Sequence, residues 1–385
     1  MQIQRVFFFL FFYSNFIYAQ QSITTSMVPE ISNEAIILLN DGVDLFTKGE
    51  YAAAIVKYTQ ALEVEPLYEK AYYNRANTYL MIKDYDKAIR DYNKCLKINP
   101  ANTKAKSYRA QAYMKIDNTN EALNDFSSVL KEEPNNKIAL TNRAVIYITK
   151  DEYQLALDDL NNAAKVTQYN DGQVLLNKGI VEYNLDRCSD ALTTLSQAEN
   201  LLTNNVKISE LKAKCFLKQE EYEKAILEWS SAIRIQPDKA EYYYLRGHAK
   251  QMLDNFNGAL IDYTISMDLN PDHIQCLTNK AFVNYEVGNT DQALSDYSLL
   301  ISKEPINKDH YFYRASAWIK LENYEKAIED LNAAIKLDNS FAEGYFNLAT
   351  VYSKIKKDEL TCQNLRKALN HGYYKANEYL AMMCK

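Results

Sequence analysis

The chain has 385 residues, a net charge of -6 and only 9 Gly and 7 Pro. So few turn-forming residues argue against an all-β or loop-rich protein, and the hydrophobic fraction of 47% suffices for a packed interior. The acidic balance argues against a general nucleic-acid binder, because the neutralisation of phosphates needs a basic face.

The first twenty residues differ from the rest of the chain. Arg5 precedes a short apolar run at residues 6–13, and Ala19 is followed by two glutamines. This arrangement is typical of a secretory signal cut after Ala19. A membrane anchor is the competing interpretation, but the run has about 8 residues against the ~20 that a spanning helix needs. We therefore predict a signal peptide over residues 1–19, a disordered leader over residues 20–34, and no membrane insertion after signal removal.

One sequence motif recurs along the remainder of the chain. An alanine returns every 34 residues, with a single step of 35, and Thr361 takes its place in the tenth copy. The alanines are Ala54, Ala88, Ala122, Ala156, Ala191, Ala225, Ala259, Ala293 and Ala327. A register kept over nine steps indicates an array of repeats.

Counting repeat positions from Ala35 gives the internal pattern of one unit. Position 8 is Gly or Ala in all ten copies, and position 24 is always bulky, as in Tyr58 and Trp229. Six of the seven prolines fall at position 32, where a helix has to stop. Each unit is therefore predicted to be two helices joined by a tight turn at positions 15 and 16, with the small residue packed against the bulky one.

This pattern resembles the tetratricopeptide repeat (TPR) family, and specifically exported bacterial proteins made only of such repeats. The resemblance implies an all-α fold, a right-handed superhelical α-solenoid of about ten helix-turn-helix repeats with a C-terminal capping helix. The predicted repeats are 35–68, 69–102, 103–136, 137–171, 172–205, 206–239, 240–273, 274–307, 308–341 and 342–375, and residues 376–385 form the cap. The fifth repeat lacks the proline and has Glu182 where most copies are apolar, so we expect looser stacking there.

Opposite charges occupy positions 7 and 23 in seven repeats, as in Arg75 and Asp91. The first repeat exchanges the signs, with Asp41 and Lys57, and this exchange predicts a salt bridge between the two helices of each unit. We expect solvent exposure to limit each bridge to ~0–1 kcal/mol.

In the family the first helix of each unit lines a groove that holds a peptide. Mapped onto this chain, position 6 is asparagine in six repeats: Asn40, Asn74, Asn142, Asn177, Asn279 and Asn347. A side-chain amide both donates and accepts, so such a ladder is suited to gripping an extended backbone; alternatively these residues only solvate the helix surface. Further candidates for the groove are the aromatic residues Tyr244, Phe282, Tyr285, Phe312 and Phe346, which could equally serve packing.

Six cysteines suit an oxidising compartment. Antiparallel packing should bring Cys362 near Cys384, and the closing segment resembles that of many exported bacterial repeat proteins, so we predict a disulfide between them. Cys188 and Cys215 are a second candidate pair whose bonding stays open. Cys95 and Cys276 look solitary, and no spacing fits a zinc site.

No sequence feature indicates catalysis. The four histidines are scattered, no phosphate-binding loop or nucleophile elbow occurs, and the repeats leave no room for a catalytic domain. We therefore expect no enzyme and no cofactor, and a scaffold that binds a protein or extended peptide in its groove after export to the periplasm, the envelope or the outside of the cell. The alternatives are a self-assembling envelope spacer and a non-catalytic accessory subunit of an envelope enzyme or secretion complex.

Overall fold

The computed structural model describes residues 31–384, so the predicted signal peptide and most of the predicted leader lie outside the described residues. Within that range the chain forms twenty-one α-helices and no strand. The prediction of an all-α fold is therefore confirmed, while the right-handed superhelix stays a prediction.

The helices alternate between the first and the second member of each repeat, called A and B helices below. The A helices are α1 Asn33–Thr47, α3 Glu69–Met81, α5 Thr103–Lys115, α7 Lys137–Thr149, α9 Gly172–Asn184, α11 Val206–Lys218, α13 Ala240–Met252, α15 Ile274–Glu286, α17 Lys308–Lys320 and α19 Ala342–Lys354. The B helices are α2 Tyr51–Val64, α4 Tyr85–Ile98, α6 Thr119–Glu132, α8 Tyr153–Val166, α10 Cys188–Leu201, α12 Tyr222–Ile235, α14 Phe256–Leu269, α16 Thr290–Lys303, α18 Tyr324–Leu337 and α20 Asp358–Asn370. A short last helix, α21 Ala376–Met383, follows.

Two compact units make up the chain, one ending at Glu132 and the other beginning at Glu133. The first unit contains α1 to α6 and the second contains α7 to α21. Inside each unit every helix packs against the next one along the chain. Consecutive A helices also contact each other, α1 with α3 and α3 with α5 in the first unit, and α7 with α9 in the second. No two B helices of residues 31–384 make contacts as extensive.

The turn inside each repeat uses one backbone conformation throughout. Position 15 has a positive φ in all ten repeats, at 49, 83, 117, 151, 186, 220, 254, 288, 322 and 356. Only Gly49 and Gly288 are the residue type that this left-handed region favours, and the other eight side chains adopt it at some cost in free energy. The predicted tight turn is thus present in every repeat, although only two repeats have a glycine at this position.

The core is built as the residue sizes predict. A Cβ added to Gly42 would lie 2.5 Å from a ring carbon of Tyr58, and one added to Gly179 would lie 2.5 Å from Leu195. The bulky side chains at position 24 are among the largest fully buried ones, with Trp229 completely inaccessible. Small residues at position 8 therefore allow the two helices of a repeat to approach closely, as in any close-packed interior.

The extra residue lies at the end of the fourth repeat, between α8 and α9. Gln168 and Tyr169 both adopt positive φ there, and Asp171 then caps α9 by accepting hydrogen bonds from the backbone N–H groups of Gln173 and Val174. Two left-handed residues absorb the insertion without shifting the register of the helices that follow. Asparagine at the same cap position, as in Asn102 and Asn307, starts other A helices in the same way.

Candidate functional site

The exposed stripe of the A helices, hereafter the A-helix surface, consists of repeat positions 2, 6, 9 and 13. Side chains at these positions are mostly exposed or half-buried, whereas positions 8 and 10 are mostly buried. The A helices of a unit lie side by side, so their stripes join within each unit into a surface that is wider than any single helix.

The six asparagines of position 6 lie on the A-helix surface but differ in their bonding. Asn142 donates to the backbone oxygen of Ile138 at 2.8 Å. Asn177 accepts from Gln173 at 3.0 Å, and Asn279 donates to the hydroxyl of Tyr263 at 3.4 Å. The remaining three, Asn40, Asn74 and Asn347, make no side-chain hydrogen bond within residues 31–384. The amide groups of these three asparagines can bind a guest without first breaking a hydrogen bond of their own.

Three of the five predicted aromatic residues, Tyr244, Phe312 and Phe346, pack against a ring near the end of their own repeat. Phe312 lies edge-on to Phe341, with 5.1 Å between ring centroids, and Phe346 packs on Tyr373 at 4.6 Å. Tyr285 is covered on one side by Lys320, whose ammonium lies 4.6 Å from the ring centroid and donates to the carbonyl oxygen of Tyr285.

Tyr244 packs against the last residue of its own repeat, with its ring centroid 4.5 Å from that of His273. It stacks as well on His248, whose pKa is lowered by burial, so this imidazole is neutral at pH 7. Of the five predicted aromatic residues only Phe282 is well exposed.

Two exposed residues of this surface were not predicted from the sequence. Met252 at position 13 and Tyr313 at position 6 are 48% and 43% exposed, against 38% for Phe282. Tyr313 occupies the position where six other repeats have asparagine, and this exchange is a signal that the sequence carries. Met252, Phe282 and Tyr313 lie on the consecutive A helices α13, α15 and α17. Their repeat positions are 13, 9 and 6, so each lies three or four residues nearer the start of its helix than the side chain on the preceding A helix.

The predicted salt bridges between positions 7 and 23 are present. Arg314 donates to both carboxylate oxygens of Asp330, at 2.8 and 2.7 Å, and the exchanged pair Lys57 and Asp41 is joined at 3.0 Å. The hydrogen bond to Asp330 raises the pKa of Arg314 against the opposing effect of burial. The expectation that exposure weakens all of them is wrong, because the carboxylates at position 23, such as Asp330 and Asp262, are buried.

Four of these arginines, Arg75, Arg109, Arg246 and Arg314, also reach into the preceding repeat. Arg75 donates to Thr59 at 2.9 Å, and Arg314 donates to Ser298 at 3.0 Å. The acceptor is at position 25, which carries Ser, Thr or Asn in each of the first nine repeats. We call this three-helix contact the arginine bridge; it also occurs at Arg109 and Arg246. Its donors are directed at protein acceptors, which favours an architectural role for these arginines.

The fifth repeat compensates for its missing acidic residue. Position 23 is Thr194 there, and Lys178 instead pairs with Glu182, one helical turn further along α9, at 2.9 Å. Lys178 also lies 3.3 Å from the hydroxyl of Thr194. Glu182, which looks like a defect in the sequence, therefore supplies the carboxylate that pairs with the half-buried lysine of this repeat.

The cysteines divide into one bonded pair and four free thiols. Cys362 and Cys384 form a disulfide that ties α20 to the end of α21, with 5.7 Å between their Cα atoms. Cys188 and Cys215 are buried and free, and a hydrogen bond between their thiols adds to the effect of burial in raising the pKa of Cys215. Cys95 and Cys276 are buried and free as well.

Neither a metal site nor a membrane span is found in the described part of the chain. No group of three or more His, Cys, Asp and Glu side chains there could hold a metal ion. None of its helices is both long enough and apolar enough to cross a bilayer.

Fold and surface together define a class: a helical-repeat scaffold in which the A helices of each unit present an exposed face. Comparison with known families gives this class a name. Models of the tetratricopeptide repeat match residues 69–102 and 109–172, and a further TPR model matches residues 42–83, 213–254 and 315–356. These matches cover more than half of the sequence. The chain belongs to the tetratricopeptide repeat family, whose scaffolds typically mediate protein–protein interactions.

One of the similar solved structures supports the fold. The C-terminal part of a TPR repeat-containing protein from Cytophaga hutchinsonii is 16% identical, covering 62% of this chain and 98% of that one, with a TM-score of 0.52. A tetratricopeptide repeat protein from Parabacteroides merdae is 19% identical, covering 66% and 99%, with a TM-score of 0.47. YrrB, described as a TPR protein with an unusual peptide-binding site, is 19% identical, covering 58% and 97%, with a TM-score of 0.37. No curated protein matches the sequence.

Proposed function

We propose that this chain is an exported scaffold that binds an extended peptide or a protein segment on the A-helix surface of its second unit. The observation that carries the proposal is the set of three exposed apolar side chains, Met252, Phe282 and Tyr313, on consecutive A helices. Large apolar and aromatic side chains dominate the free energy of peptide binding when they become desolvated. The free amide of Asn347 lies on the same surface and adds a donor and an acceptor for a guest backbone.

Binding is tested with an array of random twelve-residue peptides and fluorescence anisotropy on the peptides that bind. The variant Phe282→Ser/Tyr313→Ser should weaken binding at least tenfold, since two desolvated aromatic contacts exceed the ~1.4 kcal/mol that a factor of ten requires. The matched control is Leu227→Ser/Leu299→Ser, which removes two exposed apolar side chains from the B helices α12 and α16. Equal losses in both variants, or none in either, would rule out this surface as the binding site.

The asparagine ladder is tested separately, because three of its members already have partners. Asn347→Ala removes a free amide, whereas Asn142→Ala removes one that is bonded to its own helix. If amides bind the guest backbone, Asn347→Ala should weaken binding about three- to tenfold and Asn142→Ala should have little effect. The same small effect for both would leave the ladder a solvated surface.

Export is supported by the apolar run at residues 6–13 and by the small residue Ala19. Its test is the N-terminal sequence of the protein purified from the cells that produce it. We expect the mature chain to begin at Gln20. A chain that retains Met1 would contradict export through a cleaved signal. The compartment that the mature chain then occupies follows from fractionation of the same cells.

A further inference from the structure

The outer face of α4 differs from that of every other B helix. Positions 19, 22, 26 and 29 of each repeat form the outermost stripe of the B helix, on the side away from the A helices. In α4 all four are cationic and exposed: Lys87, Arg90, Lys94 and Lys97. None of the other nine B helices has more than two cations at these positions. We call these four residues the basic stripe.

The charge of the basic stripe is largely unbalanced. Lys87 pairs with Asp84 at 2.6 Å. Arg90, Lys94 and Lys97 pair with no carboxylate within residues 31–384. Like charges three and four residues apart on a helix repel each other and cost a few tenths of a kcal/mol per pair. The stripe therefore lowers the stability of α4 slightly, and an anionic partner would remove that cost.

A cavity of about 420 Å³ opens at the C-terminal end of the stripe, lined by Pro66, Leu67, Tyr72, Lys94, Lys97 and Ile98. Four of these residues are apolar or aromatic, the other two are cations of the stripe, and Leu67 is 65% exposed. A cavity of this size accommodates one large apolar side chain. Cations beside an apolar cavity favour a partner that carries both acidic groups and an apolar side chain.

We propose that the basic stripe and this cavity form a second interaction surface, on the first unit, for an acidic peptide segment with one large apolar residue at its end. The four cations extend over about 15 Å of helix, which an extended segment of about five residues spans. Carboxylates of the segment pair with the stripe, and its apolar residue enters the cavity beside Leu67 and Tyr72. A flat anionic membrane would meet the same charges but would leave the cavity unfilled. The proposal is independent of the A-helix surface of the second unit, because the basic stripe and the cavity lie on the first unit.

The test measures binding of a fluorescein-labelled peptide, four glutamates followed by a leucine amide, to the full chain at low ionic strength. The variant Arg90→Gln/Lys94→Gln/Lys97→Gln should weaken binding at least tenfold. A matched variant, Lys165→Gln/Arg234→Gln/Lys336→Gln, removes the same total charge from exposed position 29 of three other repeats and should change binding less than twofold. Circular dichroism of both variants checks that the fold is retained.

The cavity has its own test. A peptide ending in serine amide should bind about three- to tenfold more weakly than the leucine peptide, and Leu67→Ser should abolish this difference without affecting the serine peptide. Four outcomes would overturn the proposal: no binding of the leucine peptide at millimolar concentration, equal losses in the two charge variants, indifference to the terminal residue, or binding only to phosphatidylserine vesicles or to a single-stranded oligonucleotide. The variant Phe282→Ser/Tyr313→Ser should bind the acidic peptide normally, so failure here and failure of the proposed A-helix site are distinguishable.

Discussion

Replacing Arg314 by methionine should destabilise the ninth repeat more than any exposed salt bridge would suggest. Asp330 is only 5% exposed, and Arg314 is the residue that donates to both of its carboxylate oxygens. Methionine has a similar length but no donor, so the carboxylate would stay buried without its counter-charge, and Ser298 would lose its donor. Removing one partner of a buried pair costs about 3–5 kcal/mol, mainly because the remaining charge is uncompensated.

The chain supplies its own comparison at the same repeat positions. The side chains of Lys57 and Asp41 are 35% and 46% exposed, so Lys57→Met should cost only about 0–1 kcal/mol. The double replacement Arg314→Met/Asp330→Leu removes both charges and fills the space with apolar atoms. We expect it to recover stability to within about 1 kcal/mol of the parent protein, as observed for buried pairs in general.

The assay is urea unfolding combined with hydrogen exchange of the amides in α17 and α18. Exchange is needed because repeat arrays open locally, so one global free energy of unfolding can hide a change in a single repeat. Faster exchange confined to these helices in Arg314→Met, and its reversal in the double variant, are the expected results. If Arg314→Met costs no more than Lys57→Met, burial of the carboxylate does not determine the strength of the bridge, and the reasoning fails.

Three further predictions concern the turns, the charges and the cap. Glu322 has a φ of +57°, so Glu322→Gly should stabilise the protein by about 0.5–1 kcal/mol in thermal unfolding. The control Glu329→Gly, inside α18, should destabilise the protein by about 1 kcal/mol. The same sign for both changes in stability would refute the turn argument. Hydrogen bonds from Lys308 and from Ser340 lower the pKa of Asp338 from 3.8 to about 2, so this carboxylate stabilises the fold above pH 4 and stops doing so as the pH falls through 2. An NMR titration of Lys308→Met should find the pKa of Asp338 raised part of the way to 3.8, and a value still near 2 would exclude Lys308 as the main cause. Cys384→Ser removes a disulfide of sequence separation 22, which should lower the free energy of unfolding by up to about 3 kcal/mol and speed hydrogen exchange in α21. A reductant should have the same effect on the parent protein and no effect on the variant.

Much of the architecture follows from local patterns in the sequence. The spacing of small and bulky residues predicted which side chains meet, as Gly179 and Leu195 do. The exchange of charge between Asp41 and Lys57 predicted contact between two helices of one repeat. Such inferences succeed because helix geometry and close packing act over a few residues and repeat without change along the chain.

The candidate site was harder to predict, because the sequence does not say which face of an aromatic side chain is covered. Phe312 and Phe346 lie at repeat position 5, next to position 6 where Tyr313 is exposed, yet both pack against a ring near the end of their own repeat. The outcome depends on which residue the connection after the B helix presents, Phe341 in one case and Tyr373 in the other. Exposure of a ring thus depends on a residue that is distant in the sequence.

By itself, then, the sequence determined the number and length of the helices, because periodicity, prolines and turn residues act within each repeat. Tertiary structure alone decided the strength of the salt bridges, since the effective dielectric around Asp330 depends on how the helices exclude water from it. It also decided that Arg75 reaches the preceding repeat at Thr59. This contact joins side chains whose separation is set by the packing of three helices, and that packing forms only when neighbouring repeats are in place.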